Sequence, residues 1–247
     1  MAEYTPDSFK PLLGKLVKTP EHFTPEDLKL ALHHIFTPDA TLPAQMGAFL
    51  LALHIARLER RPESLAATAQ FLRARSLKAS IEDGEADFVV DIVGTGGDEH
   101  NTYNVSTTAA MAAAGAGARV IKVGIVCMYY SDINSANIKN KHGSRAQTSV
   151  SGSGDLLESL GCSFTAPPFP IAKTPFNFIL GLNYQPGIAT AISPYRKSLP
   201  FKTIFNVIGP LINPARPRGM LLGVFERELG PIFAQCLREG GVERALV

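Results

Sequence analysis

Phe88-Val89-Val90-Asp91-Ile92-Val93-Gly94-Thr95-Gly96-Gly97-Asp98 decides the fold. The run from Phe88 to Val93 is short, apolar except for Asp91, and stops at glycines, so it reads as a buried strand emptying into a tight loop. Three glycines permit backbone conformations and close approach denied to other residues, and consecutive N–H groups can then converge on an anion. Past the loop, Thr102-Tyr103-Asn104-Val105-Ser106-Thr107 leads into an Ala-rich helix expected from about Thr107 to Ala114. A helix start beside a glycine loop suits a diphosphate. On glycine spacing alone a tight turn is the simpler reading, and Ser106 or Thr107 can serve purely as a helix cap. No Gly-Lys-Ser/Thr follows and the dinucleotide spacing is missing, which argues against ATP and NAD.

Downstream, a second strand is expected at Arg119 to Lys122 and a helix at Asp155 to Leu160, closed by Gly161. This alternation predicts an α/β domain with a mainly parallel sheet over residues 86–247. Lys141-His142-Gly143-Ser144-Arg145 and Ser149-Val150-Ser151-Gly152-Ser153-Gly154-Asp155 form a second polar cluster. Its cations, hydroxyls and glycines suit phosphate oxygens, although a solvated basic loop has the same composition. Two anion-competent loops on successive strand ends fit a substrate carrying phosphates at both ends, as phosphoribosyl diphosphate does.

Upstream, residues 1–80 read as a small helical domain. Thr24-Pro25-Glu26-Asp27 supplies an N-cap, a first-turn proline and first-turn acids. Phe9, Leu12, Leu13, Leu16 and Val17 make one apolar face, and Met46, Phe49, Leu50 and Leu53 repeat the pattern. His33, His34 and His54 fall in these helices as structural or solvent-facing residues, which leaves His142 as the histidine within a chemical motif.

With 247 residues, 45% apolar content, 19% charge and a formal charge of +2, the chain can bury a core and carries no footprint for nucleic acid. Three cysteines without metal-ligand spacing point to a reducing compartment. Residues 1–10 lack a signal-peptide core, and the apolar stretches Met111 to Tyr130 and Phe176 to Ile192 are broken by polar residues. No membrane association and a cytoplasmic location are therefore expected.

Gly94-Thr95-Gly96-Gly97-Asp98, Asn104-Val105-Ser106-Thr107, Lys141-His142-Gly143-Ser144-Arg145 and Thr203-Ile204-Phe205-Asn206-Val207-Ile208-Gly209-Pro210-Leu211-Ile212-Asn213-Pro214-Ala215 resemble the ordered signatures of the anthranilate phosphoribosyltransferases. The resemblance implies a helical domain, joined in space by about residues 175–198, beside a larger α/β domain, with homodimerisation through the helices. It also implies transfer of a phosphoribosyl group from phosphoribosyl diphosphate to the amine of anthranilate, in tryptophan biosynthesis, with Mg2+ as cofactor. By motif position, Gly94, Gly97, Asp98, Thr102, Asn104, Val105 and Thr107 would hold diphosphate and ribose, and Ser106 would ligate the metal. Lys141, His142, Gly143, Ser144, Arg145, Ser149 and Ser153 would complete the sugar-phosphate site, and Arg196 would face the anthranilate carboxylate. Ser144 stands where the family has asparagine, and Asn183-Tyr184-Gln185-Pro186-Gly187 replaces a His-Pro-Ala stretch. The long signature ending at Asn213-Pro214 reads as packing and turn chemistry. No protein nucleophile or base is expected, because an aromatic amine attacks a sugar carbon already losing diphosphate. A nucleoside phosphorylase of related architecture is the rival enzyme, and a non-catalytic binding protein or unproductive gene product the rival outside catalysis.

One segment departs from the resemblance. In the family the lysine after the second strand runs directly into His-Gly, whereas Val123 to Asn140 intervenes here. Its apolar content, at the entry to a substrate-binding turn, reads as a retained non-coding segment or gene-model error rather than a surface loop. The family also continues beyond the strand expected near Val247 with an Asp-Glu pair that binds magnesium. An α/β domain incomplete at its C-terminus, and a chain with little or no turnover, are the corresponding expectations.

Overall fold

The computed structural model describes residues 4–82, 87–96, 103–124, 153–162, 170–196 and 198–247. Four helices build the N-terminal domain: α1 Pro6–Lys18, α2 Pro25–Ile35, α3 Pro43–Ile55 and α4 Pro62–Arg75. Thr5 and Thr24 cap α1 and α2 as capping boxes with Ser8 and Asp27, and a proline opens each of the four helices. The expected apolar faces point inward at Phe9, Leu12, Leu16, Met46, Phe49, Leu50 and Leu53, but Val17 turns out to solvent.

Five strands follow: β1 Val89–Gly94, β2 Arg119–Gly124, β3 Phe176–Leu180, β4 Gly219–Gly223 and β5 Arg244–Leu246. They form one sheet in the order β3-β2-β1-β4-β5, and every pairing is parallel, as the alternation of strands and helices predicted. The β2 strand runs two residues past Lys122, where Val123 and Gly124 pair with Ile179 and Leu180. The chain steps outward from β1 to β2 and β3, then returns to lay β4 on the other side of β1. That reversal makes the end of β1 the switch point of the sheet, where strand-end loops diverge and leave a crevice.

Helix α5, Val105–Gly115, starts two residues earlier than expected and packs Ala110 and Ala114 against Ile92 and Val120. Small side chains let it lie close to the sheet. The opposite sheet face buries Val89, Ile121, Val123 and Ile179 with Ile171, Tyr184 and Ala215. Helix α6, Ser153–Ser159, ends at Gly161, whose φ of +80° permits the Cys162 N–H to bond the Leu157 carbonyl at 3.0 Å.

The stretch expected beside the helices at 175–198 divides in two. Phe176–Leu180 is strand β3, whereas α7 Gly181–Tyr184, α8 Pro186–Ala191 and α9 Ser193–Arg196 turn back toward the helical domain. Leu77 N–H donates to the Tyr184 carbonyl at 2.9 Å. Ile188 and Ile192 join the same apolar cluster as Phe9, Leu32, Phe49 and Leu72. That cluster also takes in Phe205 from α10, Ile204–Val207, and Phe233 from α11, Leu229–Glu239. No helix among the described residues is long and apolar enough to cross a membrane.

Candidate functional site

The loop leaving β1 is pinned where it starts. Gly94 pairs with Gly223 across the switch point, and the Thr95 N–H donates to the Gly223 carbonyl at 2.9 Å. Gly96 then takes a φ of +67°, a conformation that strains any residue with a Cβ. Gly97, Asp98 and Thr102 lie outside the described residues.

Helix α5 follows the loop in sequence. Asn104 caps the helix, its side-chain oxygen accepting from the Thr107 N–H at 3.3 Å, so the cap is neither of the hydroxyl residues considered from sequence. Val105 is exposed at the first helical position. The Asn104 Nδ2 lies 3.1 Å from the Ser153 Oγ, and the buried Thr107 hydroxyl donates to the same Oγ at 2.8 Å. Ser153 opens α6, so residues from two separate sequence motifs meet at one oxygen.

Ser106, beside them, accepts a hydrogen bond at 3.0 Å from the ammonium of Lys122, which also donates to the Ile92 carbonyl at 2.7 Å. Lys122 is 2% exposed, and burial pushes its pKa down to about 8 against the support of the Asp91 charge. Asp91 is fully buried, and burial pushes its carboxyl up to about 6, opposed by the Asn213 hydrogen bond and the Lys122 charge. Asn213 Nδ2 donates to Asp91 Oδ2 at 2.8 Å and to the Ile121 carbonyl at 3.1 Å, while its Oδ1 accepts from the Ala215 N–H at 2.9 Å. Asn213 thus makes the turn chemistry expected of its signature and clamps two strands besides.

Sequence reasoning gave no role to Lys122 or Asp91, and gave Asn213 only its turn. The signal was present for two of them: a lone charge inside an apolar strand must find a buried partner. Lys141, His142, Gly143, Ser144, Arg145 and Ser149 lie outside the described residues, and Arg196 ends α9 with its side chain likewise outside them. The helical histidines are structural. His34 is buried against Tyr4 and Phe9, His33 packs its ring on Phe71, and His54 Nδ1 lies 2.9 Å from Glu59 Oε1.

Among the described residues no group of three or more His, Cys, Asp or Glu gathers to hold a metal. Ser106 offers one neutral oxygen, already engaged by an ammonium. Such a donor set fits a divalent ion that brings its own phosphate oxygens.

Residues 10–76 match the helical bundle domain of a glycosyl transferase family, and residues 86–126 and 135–247 match that family's a/b domain. The interruption between the two matched parts falls within the segment after β2. The anthranilate phosphoribosyltransferase of Schizosaccharomyces pombe is 39% identical over 90% of this chain and 58% of its own length. That of Shewanella frigidimarina is 41% identical over 83% of this chain and 54% of its own. Among solved structures, the Saccharomyces cerevisiae anthranilate phosphoribosyltransferase in complex with PRPP and Mg superposes with a TM-score of 0.78 at 28% identity, covering 98% of this chain and 65% of that one. The chain therefore spans a little over half the length of its curated relatives. With both domains matched in order, the chain belongs to this glycosyl transferase family, and each of the relatives just named is an anthranilate phosphoribosyltransferase.

Proposed function

We propose that this chain carries the sugar-phosphate site of an enzyme that transfers the phosphoribosyl group of phosphoribosyl diphosphate to the amine of anthranilate, in tryptophan biosynthesis. The meeting of Asn104, Thr107 and Ser153 at one oxygen beside the glycine loop carries the reading, because it joins two motifs assigned to one ligand. Gly94, Gly97, Asp98, Thr102, Asn104, Val105, Ser106 and Thr107 would bind the diphosphate and ribose. Lys141, His142, Gly143, Ser144, Arg145, Ser149 and Ser153 would close around the sugar phosphate. Arg196, by its planar guanidinium, would take the anthranilate carboxylate. A Saccharomyces cerevisiae neighbour in complex with 4-fluoroanthranilate, with a TM-score of 0.75 at 26% identity, supports the aromatic acceptor.

As diphosphate departs, C1 of ribose becomes cationic and the leaving group gathers negative charge. N–H groups of the glycine loop would stabilise that charge as it develops. Bound magnesium would supply a further positive charge on the leaving oxygens, with Ser106 as its protein ligand. The amine needs positioning more than a base, so no proton acceptor is assigned.

Titration of the purified chain with phosphoribosyl diphosphate and magnesium tests the site, and ribose 5-phosphate serves as the comparison. We expect the diphosphate to bind and the monophosphate to bind at least about tenfold more weakly, since each lost tenfold is about 1.4 kcal/mol of contacts. Equal binding would overturn the assignment of the glycine loop to diphosphate. Anthranilate-dependent release of diphosphate, against phosphate-dependent nucleoside cleavage, separates the transferase from the related phosphorylase. We further propose a cytoplasmic protein that pairs through its helical domain, where Val17, Leu42, Leu51 and Ile55 are exposed. Residues 123–140 we assign to a retained non-coding segment or a gene-model error. The break in the family match over residues 127–134 supports that assignment.

A further inference from the structure

We infer that Arg60 is a positioning residue for the glycine loop: by holding Glu226, it lets the helical domain set where a diphosphate sits. The inference deepens the phosphoribosyl diphosphate reading above and rests on it.

The single turn Leu58–Arg60, between α3 and α4, is itself held firmly. Leu58 is buried, and the buried Glu59 turns back to His54, its Oε1 2.9 Å from the His54 Nδ1. The His54 ring in turn stacks on Phe201, with centroids 4.8 Å apart. From this turn Arg60 reaches Glu226, and its two terminal nitrogens bond the two carboxylate oxygens, Nη2 to Oε1 at 3.1 Å. Both side chains are a third exposed, so the pair adds little to stability. What a two-pronged guanidinium–carboxylate pair does add is a fixed orientation.

That orientation bears on the loop because Glu226 comes just after β4, whose last residue is Gly223. Gly223 pairs with Gly94, and its carbonyl accepts the Thr95 N–H at 2.9 Å. The residues between, Val224 and Phe225, both pack on the large apolar cluster, and the Lys202 ammonium lies 4.2 Å from the Phe225 ring centroid. Close-packed side chains transmit a displacement instead of absorbing it, so a shift of Glu226 passes to the carbonyl that anchors Thr95. The other end of β4 supplies a control. Arg218, just before the strand, makes the same kind of two-pronged pair with Glu243, at 2.6 Å and 3.0 Å, remote from the glycine loop.

Calorimetric titration of the full chain with phosphoribosyl diphosphate and with ribose 5-phosphate, each with magnesium, gives a ratio of affinities that a smaller folded fraction leaves unchanged. We expect Arg60→Gln and Glu226→Gln each to cut that ratio at least about threefold, and the double variant to lose no more than either single one. Arg218→Gln should leave the ratio as it is. An unchanged ratio in Arg60→Gln, or in Glu226→Gln should the first not fold, overturns the inference, and so does an equal loss in Arg218→Gln. Losses that add in the double variant overturn it too, since one contact cannot be lost twice. A wild-type chain without preference for the diphosphate sinks the phosphoribosyl reading and this inference with it.

Discussion

A carboxylate removed from water must be neutralised or hydrogen-bonded, and Asp91 meets that demand through Asn213. Its other oxygen has no hydrogen-bond partner among the described residues. Burial holds the carboxyl at about 6 instead of 3.8, so across that window the native chain keeps a proton that the unfolded chain has released. The native state then binds more protons, and stability falls as pH rises through the window. The full loss is about 3 kcal/mol, since each pKa unit is worth about 1.4 kcal/mol. Asp91→Asn removes this titration. The difference in unfolding free energy between wild type and Asp91→Asn should therefore shift against wild type by roughly that amount between about pH 4 and 6.5. Parallel urea-unfolding profiles for the two proteins would show that Asp91 titrates normally. Asn213→Ala strands the carboxylate and two backbone partners, and should cost about 3 kcal/mol at neutral pH in the same measurement.

Helix caps separate stability from binding at the scale of elements. Thr24 and Asn104 each accept a bond from a first-turn N–H, of α2 and α5 respectively. Replacing either with alanine should cost about 1 kcal/mol. Only Asn104 also reaches Ser153, so only Asn104→Ala should weaken diphosphate binding, by about tenfold or more for a charge-assisted site that loses its alignment. Equal loss of affinity in Thr24→Ala would mean that binding merely tracks stability. The elements behind these predictions differ in how plainly they can be read from sequence. The cap at Thr24, the strand at Val89, the closing glycine at 161 and the parallel sheet follow from local rules: side-chain caps, apolar runs and positive-φ glycines. The division of 175–198 between sheet and helical domain does not, because Phe176–Leu180 is short and apolar and its neighbours are chosen by tertiary pairing. Asn104, Ser106 and Thr107 announce a helix entrance beside a glycine loop. The role of Lys122 does not show in sequence, since its partners Ile92 and Ser106 are brought to it only by the alignment of β1, β2 and α5.

Across the whole molecule, one apolar cluster ignores the boundary between domains, and Arg60 grips Glu226 with both terminal guanidinium nitrogens. Residues 125–152 lie outside the described residues, and in sequence the segment after β2 stands between that strand and Lys141-His142-Gly143. The strand end itself selects the reading frame of a chain without it. Gly124 pairs with Leu180, and a Cβ at that position would lie 2.2 Å from the Phe178 ring. Val123, one residue earlier, is buried in an apolar cluster with Ile121 and Ile179. Removing residues 123–140 would seat Lys141 in the apolar position and His142 against Phe178, a charge in a core and a side chain in a filled space. Removing residues 123–141 would bring His142 and Gly143 to those two positions instead, which keeps a glycine beside the Phe178 ring and leaves Lys122 as the single lysine of the turn. We therefore expect a cellular transcript that lacks the codons for residues 123–141, one residue more than the segment Val123 to Asn140, so that Lys122 runs directly into His142-Gly143 as in the family pattern. Loop closure grows only logarithmically with length, so shortening should add on the order of 1 kcal/mol to stability. Diphosphate binding is the sharper readout, because the two polar clusters are then joined as one turn. The chain lacking 123–141 should bind diphosphate more tightly than both the full chain and the chain lacking 123–140. An uninterrupted message, with the full chain binding most tightly of the three, would establish residues 123–141 as a genuine part of the protein.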